Sequence, residues 1–289
     1  FEILPKEVLQ ISMRENQKFF SLISIEECRI SSFVTVADND PIDNGDKILE
    51  GNTKVLNARL SDALFFWEKD LYSIKHEGFM KFGDNLKKIT FHNRLGTMEE
   101  RVKRIYNISS AISKELKVDY NEVKKASLLC KADLVSFMVK EFPKLQGIMG
   151  YYYALKSGYS EDVALSCKDH YSPLGPFDEV PTNKLVICIA LADKIDLLSS
   201  FWSINLRPTG SKDPYGLRRA ALGLIRIIIQ NKLDFSLETL FRYSGLEKKN
   251  TSLEDFFYDR TVYYFKNMNF KHDLVEACIS KGVFNNKLS

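Results

Sequence analysis

The sequence has few cysteines, and no two of them form a C-x-x-C pair. Five scattered thiols, an odd number, fit neither a disulfide framework nor a cysteine-rich zinc site. We therefore predict reduced thiols in a cytoplasmic protein, with several of them filling small spaces in the core. The cysteines are Cys28, Cys130, Cys167, Cys188 and Cys278.

Long apolar runs and a strong charge excess are also missing. No apolar stretch approaches the roughly 20 residues that cross a bilayer as a helix, so the sequence predicts no membrane span. The net charge is only +3 over 289 residues, which does not by itself favour binding to nucleic acid. Any contact with RNA must therefore depend on local clusters of lysine and arginine.

The signatures of common catalytic sites are absent as well. The histidines have no i, i+4 partner, and there is no G-x-S-x-G motif and no complete P-loop. We expect the histidines to be surface or capping groups rather than metal ligands. They are His76, His92, His170 and His272. No nucleophile and base can be paired, so we predict no catalytic residue in this chain.

The chain is long enough for two or three domains, and 45% of its residues are hydrophobic. We predict a small α+β domain over 1–84, a helical domain over 85–205 and a helical segment over 206–289. Because the chain begins at Phe1 rather than at a methionine, we interpret it as an internal piece of a longer protein.

Apolar spacing and capping residues locate the elements within these parts. Thr97 and Glu100 fit a capping box at the start of a helix that ends near Leu116, and Ser160 is predicted to cap another helix. Strands are predicted over 19–23 and 32–36. The other predicted helices cover 5–11, 52–75, 121–139, 145–157, 161–170, 184–201 and 215–230, with two or more further helices at the end.

The helix predicted over 215–230 has a narrow cationic stripe. At 100° per residue, Arg218, Arg219 and Arg226 fall within about a third of its circumference, and most other positions are Ala, Leu or Ile. Arg207 and Lys212 lie in the loop before it. Two interpretations remain open. Either these cations hold the phosphates of an RNA, or the arginines form salt bridges with Asp or Glu on neighbouring helices.

Two ionisable residues lie within strongly apolar segments, Lys131 in LLCKADL and Asp193 in IALADKI. An isolated buried charge is costly, so such groups are normally paired. We expect an internal ion pair, and a catalytic role is the alternative.

Several longer strings occur in order along the chain. They are GNTKVL at 51–56, RLSDA at 59–63, FFW at 65–67, LGT at 95–97, KADL at 131–134, MVKEFPKLQGIMG at 138–150, HYSP at 170–173, LADKID at 191–196 and RPTGSKDPYGLRRAA at 207–221. Together these strings resemble the beta subunit of the bacterial two-subunit glycyl-tRNA synthetases over nearly the whole chain.

This resemblance implies an activity and its partners. The family attaches glycine to tRNA(Gly) in the cytoplasm with ATP and Mg²⁺, as an alpha2-beta2 tetramer. Its alpha subunit holds the aminoacyl-adenylate site, and its beta subunit binds tRNA. We therefore expect this chain to bind tRNA(Gly) and an alpha subunit, to hold no cofactor itself and to be inactive alone. The segment 253–279 resembles the start of the family's helical anticodon-binding domain.

The middle region of the family also resembles the HD superfamily, a helical bundle of metal-dependent phosphohydrolases. The four metal-binding positions fall here on Arg104, Cys130, Lys131 and Asp193, so one ligand of the four remains. A lysine repels a divalent ion, which needs carboxylate or imidazole ligands. The resemblance thus implies a mainly α fold with a degenerate HD-type bundle and no metal, in which the Lys131 ammonium replaces the ion and pairs with Asp193.

Two other functions stay open from the sequence. An active HD-type metal-dependent phosphohydrolase would keep a divalent ion near Asp193. A purely structural scaffold would bind the alpha subunit and no RNA.

Overall fold

In a computed structural model of the chain, residues 1–275 are described apart from 2, 25, 27–28, 39, 247–250 and 272. Cys28, His272 and Cys278 lie outside the described residues, as do the ends of the segments predicted over 253–279 and 206–289. The described chain is mainly helical, and its strands form two separate two-stranded antiparallel sheets. The predicted mainly α class is confirmed, whereas the HD-type arrangement stays a prediction.

The N-terminal part begins with a short helix and a hairpin. Helix α1 spans Lys6–Ile11, and one wider helical turn follows at Ser12–Asn16. Strand β1 (Phe20–Ser24) pairs with β2 (Arg29–Val34) in antiparallel register. The second strand begins three residues earlier than predicted, because its pairing with β1 already starts at Arg29, which pairs with Ser24.

Helix α2 spans Asp46–Glu77 and begins six residues earlier than the predicted start at 52. The carboxylate of Asp43 accepts hydrogen bonds from Gly45 N (3.3 Å) and Lys47 N (3.2 Å). These bonds satisfy N–H groups that a helix start leaves without partners. Before residue 52, α2 has two adjacent apolar residues, Ile48 and Leu49, and these are too few to show a helical period in the sequence.

A second hairpin leads into the helical bundle. Helix α3 (Phe79–Gly83), a 3₁₀ turn (Asp84–Lys88) and strands β3 (Thr90–His92) and β4 (Gly96–Thr97) precede α4 (Met98–Leu116). At the start of α4, Thr97 Oγ1 accepts from Glu100 N (3.3 Å), and Thr97 N donates to Glu100 Oε2 (2.6 Å). The predicted capping box is confirmed.

The single helix predicted over 121–139 is wrong. The chain forms α5 (Tyr120–Leu129), a 3₁₀ turn (Ala132–Val135) and α6 (Phe137–Glu141) instead. The new helix start at α6 is capped twice. Ser136 Oγ accepts from Val139 N (3.0 Å), and the buried carboxylate of Asp70 in α2 accepts from the N–H groups of Phe137 and Met138. The break leaves Lys131 just beyond the end of α5.

The remaining predicted helices are confirmed to within a few residues. Ser160 caps its helix as expected, by accepting from Val163 N. After a 3₁₀ turn (Pro143–Leu145), the helices are α7 (Ile148–Lys156), α8 (Glu161–Asp169), α9 (Lys184–Ser203), α10 (Leu217–Gln230), α11 (Leu237–Arg242) and α12 (Thr251–Asn267).

Helix α9 lies at the centre of the packing, with α4, α8 and α10 against it, and nearly all of its residues are buried. A helix that is apolar on all sides must be enclosed. Three charged residues of α9 are therefore buried as well and need partners: Asp193, Lys194 and Asp196.

The main buried apolar cluster includes residues from all three predicted parts, from Leu4 to Val275, and a small second cluster joins Met13, Phe19, Leu56 and Leu60. The boundaries near 84 and 205 stay predictions. Among the described helices, none combines the length and the apolar character that a bilayer crossing requires.

Candidate functional site

Lys131 and Asp193 form an ion pair in the middle of the bundle. The Nζ of Lys131 lies 2.9 Å from Asp193 Oδ1, and Lys131 is only 2% exposed. The same ammonium lies 2.7 Å from His170 Nε2 and 3.8 Å from the ring centre of Tyr171. Its three N–H groups therefore face a carboxylate, an imidazole nitrogen and an aromatic ring. The predicted Lys131–Asp193 ion pair is confirmed.

His170 is a buried partner of this ammonium, so the prediction that it lies at the surface is wrong. Its Nδ1 lies 2.8 Å from the carbonyl oxygen of Ser166, to which it donates. The Nε2 then has a free lone pair and accepts from Lys131. Burial, together with the Lys131 charge, holds the pKa of His170 well below its usual range, so the ring is neutral.

Helix α4 supplies a second cation to Asp193. The Nη2 of Arg101 lies 3.0 Å from Asp193 Oδ1, and its Nε lies 3.3 Å from Asp196 Oδ2. Arg104, one turn later, pairs with Asp196 Oδ1 at 2.6 Å. The arginine that contacts Asp193 is thus Arg101, and Arg104, the residue at the first ligand position implied by the HD resemblance, contacts Asp196 instead.

The two cations decide the charge of Asp193. Burial alone would raise its pKa, but the Lys131 ammonium and the Arg101 guanidinium together hold the pKa well below its usual range. Asp193 is therefore a carboxylate that is fully engaged with protein cations. We name the buried group Arg101, Lys131, His170, Asp193 and Asp196 the ion cluster.

Cys130 contacts a carbonyl group rather than the ion cluster. Its Sγ donates to Ser127 O (3.1 Å), and burial raises the pKa of the thiol to about 12. A thiol that keeps its proton is a poor metal ligand. Within the part of the chain that the structure describes, no group of three or more His, Cys, Asp or Glu is placed to hold a metal ion.

Lys194 follows Asp193 and closes the loop after α8. Its Nζ donates to the carbonyl oxygens of His170 (3.2 Å), Tyr171 (3.2 Å) and Ser172 (2.9 Å). Gly223 of α10 makes room for this side chain, because a Cβ there would lie 2.8 Å from Lys194 Cε and 3.1 Å from the Pro173 carbonyl oxygen. The charge of Lys194 is thus held beside the ion cluster by backbone dipoles.

A cleft of about 340 Å³ opens from the ion cluster to the surface. Its charged lining residues are four cations and one carboxylate: Arg101, Lys131, Lys194, Arg219 and Asp193. Aromatic rings form another wall. Phe201 and Tyr215 are stacked with centroids 4.1 Å apart, and Phe91 meets Phe201 edge to face. We call this the central cleft; it is both cationic and aromatic.

The loop before α10 lies beside the mouth of the central cleft. Asp213 caps α10, since its two carboxylate oxygens accept from Leu217 N and Arg218 N at 2.9 Å. The side chain of Arg218 donates to Gly210 O (2.6 Å) and holds the tip of the loop.

The cations of this region have no carboxylate partner among the described residues. Arg207 and Lys212 are exposed, and Arg207 donates only to Asn205 Oδ1. Arg219 is also exposed, and its side chain makes neither a hydrogen bond nor an ion pair with any described residue. The sequence left open that Arg218 and Arg219 form internal salt bridges, and the described chain contains no such bridge for either residue. We name Arg207, Lys212, Arg218 and Arg219 the basic loop.

Arg226 does not belong with the basic loop, which corrects the predicted grouping. It is only 6% exposed, and its terminal nitrogens donate to the carbonyl oxygens of Gly175 and Asp178. Two turns separate it from Arg219 along α10, which places it under the loop that follows α8. Its role is to fix that loop.

Sequence reasoning found two of the five residues of the ion cluster, Lys131 and Asp193, and missed the other three. Arg101 lies three residues before Arg104 on the same helix face, so spacing alone could not choose between them. His170 and Lys194 are within the strings HYSP and LADKID, but their contact with each other depends on the packing of α8 against α9.

Comparison with known proteins places the chain in a family. The family model described as "Glycyl-tRNA synthetase beta subunit" matches residues 1–280. A relative named glycine–tRNA ligase beta subunit from Ruegeria sp. is 48% identical over 278 residues, which is 96% of this chain and 40% of the relative.

Relatives of the same name give the same result. The one from Cereibacter sphaeroides is 47% identical and covers 96% of this chain, and the one from Paracoccus denitrificans is 45% identical and covers 97%. In each case the match spans 41% of the relative, so the chain corresponds to about two fifths of these proteins. This chain belongs to the glycyl-tRNA synthetase beta subunit family.

Proposed function

We propose that the chain is the tRNA-binding and subunit-binding part of a glycine–tRNA ligase. In this proposal it supports the ATP-dependent glycylation of tRNA(Gly), while an alpha subunit holds the groups that react. The basic loop is the observation on which the proposal depends, because its four cations have no carboxylate partner among the described residues. The reaction itself is inferred from the family.

The basic loop has the chemistry of a phosphate-binding surface. The carboxylate within this loop, Asp213, is already engaged with the N–H groups at the start of α10. Cations without a carboxylate partner keep donors that are hydrated, and they can exchange that water for phosphate oxygens, with release of counterions from the RNA. A local cluster of this kind also explains how a chain with a net charge of only +3 can bind RNA.

We assign the contact with the alpha subunit to the β1–β2 hairpin. Phe20, Leu22, Ile23 and Val34 of this hairpin are exposed apolar side chains. Such a patch on a short two-stranded sheet favours contact with another protein surface. Co-purification of the alpha subunit tests the assignment. Phe20→Ser with Ile23→Ser should abolish it, while Phe177→Ser, at an exposed aromatic in another loop, should not. Unchanged co-purification by the hairpin variant would move the interface elsewhere.

The ion cluster argues against the alternative of an HD-type metal-dependent phosphohydrolase. The side chain that remains from the four ligand positions, Asp193, is held by Lys131 and Arg101, and a divalent ion would have to displace both cations. Metal analysis of the purified chain tests this point. A stoichiometric divalent ion together with turnover of a phosphate ester would favour the hydrolase and contradict our proposal.

We propose that ATP and Mg²⁺ serve the complete enzyme and are held outside this chain, which has no complete nucleotide-binding motif. We also propose a cytoplasmic location. The unpaired buried thiols of Cys130, Cys167 and Cys188 support it, because such thiols are typical of a reducing compartment.

Binding of tRNA(Gly) at several salt concentrations is the direct experiment. We expect Lys212→Ala to weaken binding and to lower the slope of log K against log [salt] by about 0.7–0.9, the contribution of one phosphate contact. Lys124→Ala is the matched control, because Lys124 is an exposed lysine of α5, away from the basic loop. If the chain does not bind tRNA at all, it is a scaffold for the alpha subunit and the RNA-binding proposal is wrong.

A further inference from the structure

The central cleft has the dimensions of a small-molecule site. Its volume of about 340 Å³ lies at the lower end of the roughly 300–1,000 Å³ found for such sites. It opens beside the basic loop, because Tyr215, Gly216 and Arg219 line it and also belong to the loop or to the first turn of α10. An RNA strand that lies along the basic loop can therefore reach into the central cleft.

Two arginines in the cleft have donors without partners. Arg101 is only 8% exposed; its Nη2 and Nε face Asp193 and Asp196, and its Nη1 donates to no described residue. The guanidinium of Arg219, at the mouth, has no hydrogen bond or ion pair within the described chain. By contrast, the N–H donors of the Lys131 and Lys194 ammonium groups already face partners within the protein. An anion in the cleft would therefore meet the two guanidinium groups.

The start of α10 is not itself the anion site. The carboxylate of Asp213 already accepts from the N–H groups of Leu217 and Arg218. Arg101 and Arg219 remain, and guanidinium groups bind phosphate oxygens through paired, charge-assisted hydrogen bonds.

The aromatic wall completes the site. Tyr215 is 39% exposed and is stacked on Phe201, whose other neighbours are Phe91 and His92. A half-exposed ring that is fixed by stacking from behind offers its free side to a flat group, and nucleobases bind proteins in this way. The cleft thus combines a place for a phosphate with a place for a base.

We propose that the central cleft receives one unpaired nucleotide, whose phosphate lies between Arg101 and Arg219 and whose base lies against Tyr215. The inference rests on the proposed function, since the basic loop would bring the RNA strand to the cleft. A free mononucleotide shares this chemistry, and the experiment separates the two sources.

Mononucleotides alone test the cleft. In a calorimetric titration of the full chain, CMP and AMP should bind with saturation, and cytidine, adenosine or inorganic phosphate should bind at least about tenfold more weakly. Arg219→Ala and Tyr215→Ala should each weaken mononucleotide binding by about tenfold to a hundredfold. Both positions are on the surface, and Arg242→Ala, at another exposed arginine, is the matched control and should change nothing. Equal binding of phosphate and CMP, or binding insensitive to Arg219→Ala and Tyr215→Ala, would overturn the inference.

A second experiment tests whether the bound nucleotide belongs to an RNA strand. It compares an RNA duplex that has an unpaired 3′ overhang with the same duplex made blunt. The overhang should bind more tightly, and Tyr215→Ala should remove that gain while the salt slope stays the same. Lys212→Ala should lower the salt slope and leave mononucleotide affinity unchanged. If mononucleotides and overhangs give no effect while tRNA still binds through Lys212, this inference fails and the proposed function stands. If mononucleotides bind but no RNA does, the proposed function fails. The claim that the nucleotide in the cleft belongs to an RNA strand then fails with it.

Discussion

A double-mutant cycle on Lys131 and Asp193 measures how strongly the ion pair holds the bundle together. We choose Lys131→Met, which keeps an unbranched side chain of similar length, and Asp193→Asn, which keeps the shape of the carboxylate. Both residues are almost completely buried and their charged atoms lie 2.9 Å apart. Removal of one charge therefore exposes the other to a poorly solvated environment.

The structure predicts that the two single variants differ. Asp193→Asn leaves both Lys131 and Arg101 without their shared carboxylate, and loss of one partner from a buried pair costs about 3–5 kcal/mol. Lys131→Met costs less, about 1–3 kcal/mol, because Asp193 keeps Arg101 at 3.0 Å and the main loss is the donor to His170 Nε2.

The assay is urea unfolding of the single variants, the double variant and the wild type, with the free energy of unfolding taken from each midpoint. We expect the double variant to be less destabilised than the sum of the singles by about 0.5–3 kcal/mol. The exposed pair Glu50 and Lys54, whose charged atoms lie 2.6 Å apart with side chains 65% and 74% exposed, is the matched control. Its cycle should give no more than about 0.5 kcal/mol.

Two results would refute the reasoning. A coupling free energy as small as that of the exposed pair would mean that Lys131 and Asp193 do not stabilise the bundle as a unit. A smaller loss of stability for Asp193→Asn than for Lys131→Met would mean that Arg101 does not share the carboxylate.

Two further predictions concern packing and pH. Gly223→Ala should destabilise the chain by roughly 1–3 kcal/mol in urea unfolding, because the new Cβ would lie 2.8 Å from Lys194 Cε. Gly51→Ala, in the exposed part of α2 with nothing within 4 Å, should instead stabilise it by up to about 1 kcal/mol, and equal effects at both positions would contradict the close approach. Burial raises the pKa of Asp133 to about 6, although Gly147 N and Gly150 N donate to its carboxylate. The folded state therefore binds this proton more tightly than the unfolded state. The resulting stabilisation of the fold is complete below the ordinary pKa of 3.8 and is lost as the pH rises through 6. Relative to Asp133→Asn, the wild type should therefore lose about 3 kcal/mol of stability between about pH 4 and pH 7. If the free energy of unfolding changes with pH in parallel for the two proteins, Asp133 does not bind its proton more tightly in the folded state.

Much of the helical fold is predictable because its signals are local. The capping box at Thr97 and the continuous apolar run of α9 depend only on residues within a few turns of each other. The break at Lys131 is different. It is stabilised by Asp70, which lies more than 60 residues earlier in the chain and caps α6 from α2. The spacing of apolar residues within 121–139 carries no information about that contact.

The candidate site divides in the same way. The Lys131–Asp193 pair could be predicted because two charges in apolar segments need partners. The choice of Arg101 over Arg104, and the burial of His170, depend on how α4 and α8 are oriented against α9. The position of Arg226 under a loop, rather than on the surface, likewise depends on the path of residues 175–178.

The salt dependence of tRNA(Gly) binding by a variant with all four cations of the basic loop replaced by alanine tests the account most directly. If Arg207, Lys212, Arg218 and Arg219 contact phosphates, the slope of log K against log [salt] should fall by about 3 relative to the wild-type chain. A slope that stays at the wild-type value, in a variant whose urea midpoint is also unchanged, would show that RNA does not bind at this surface.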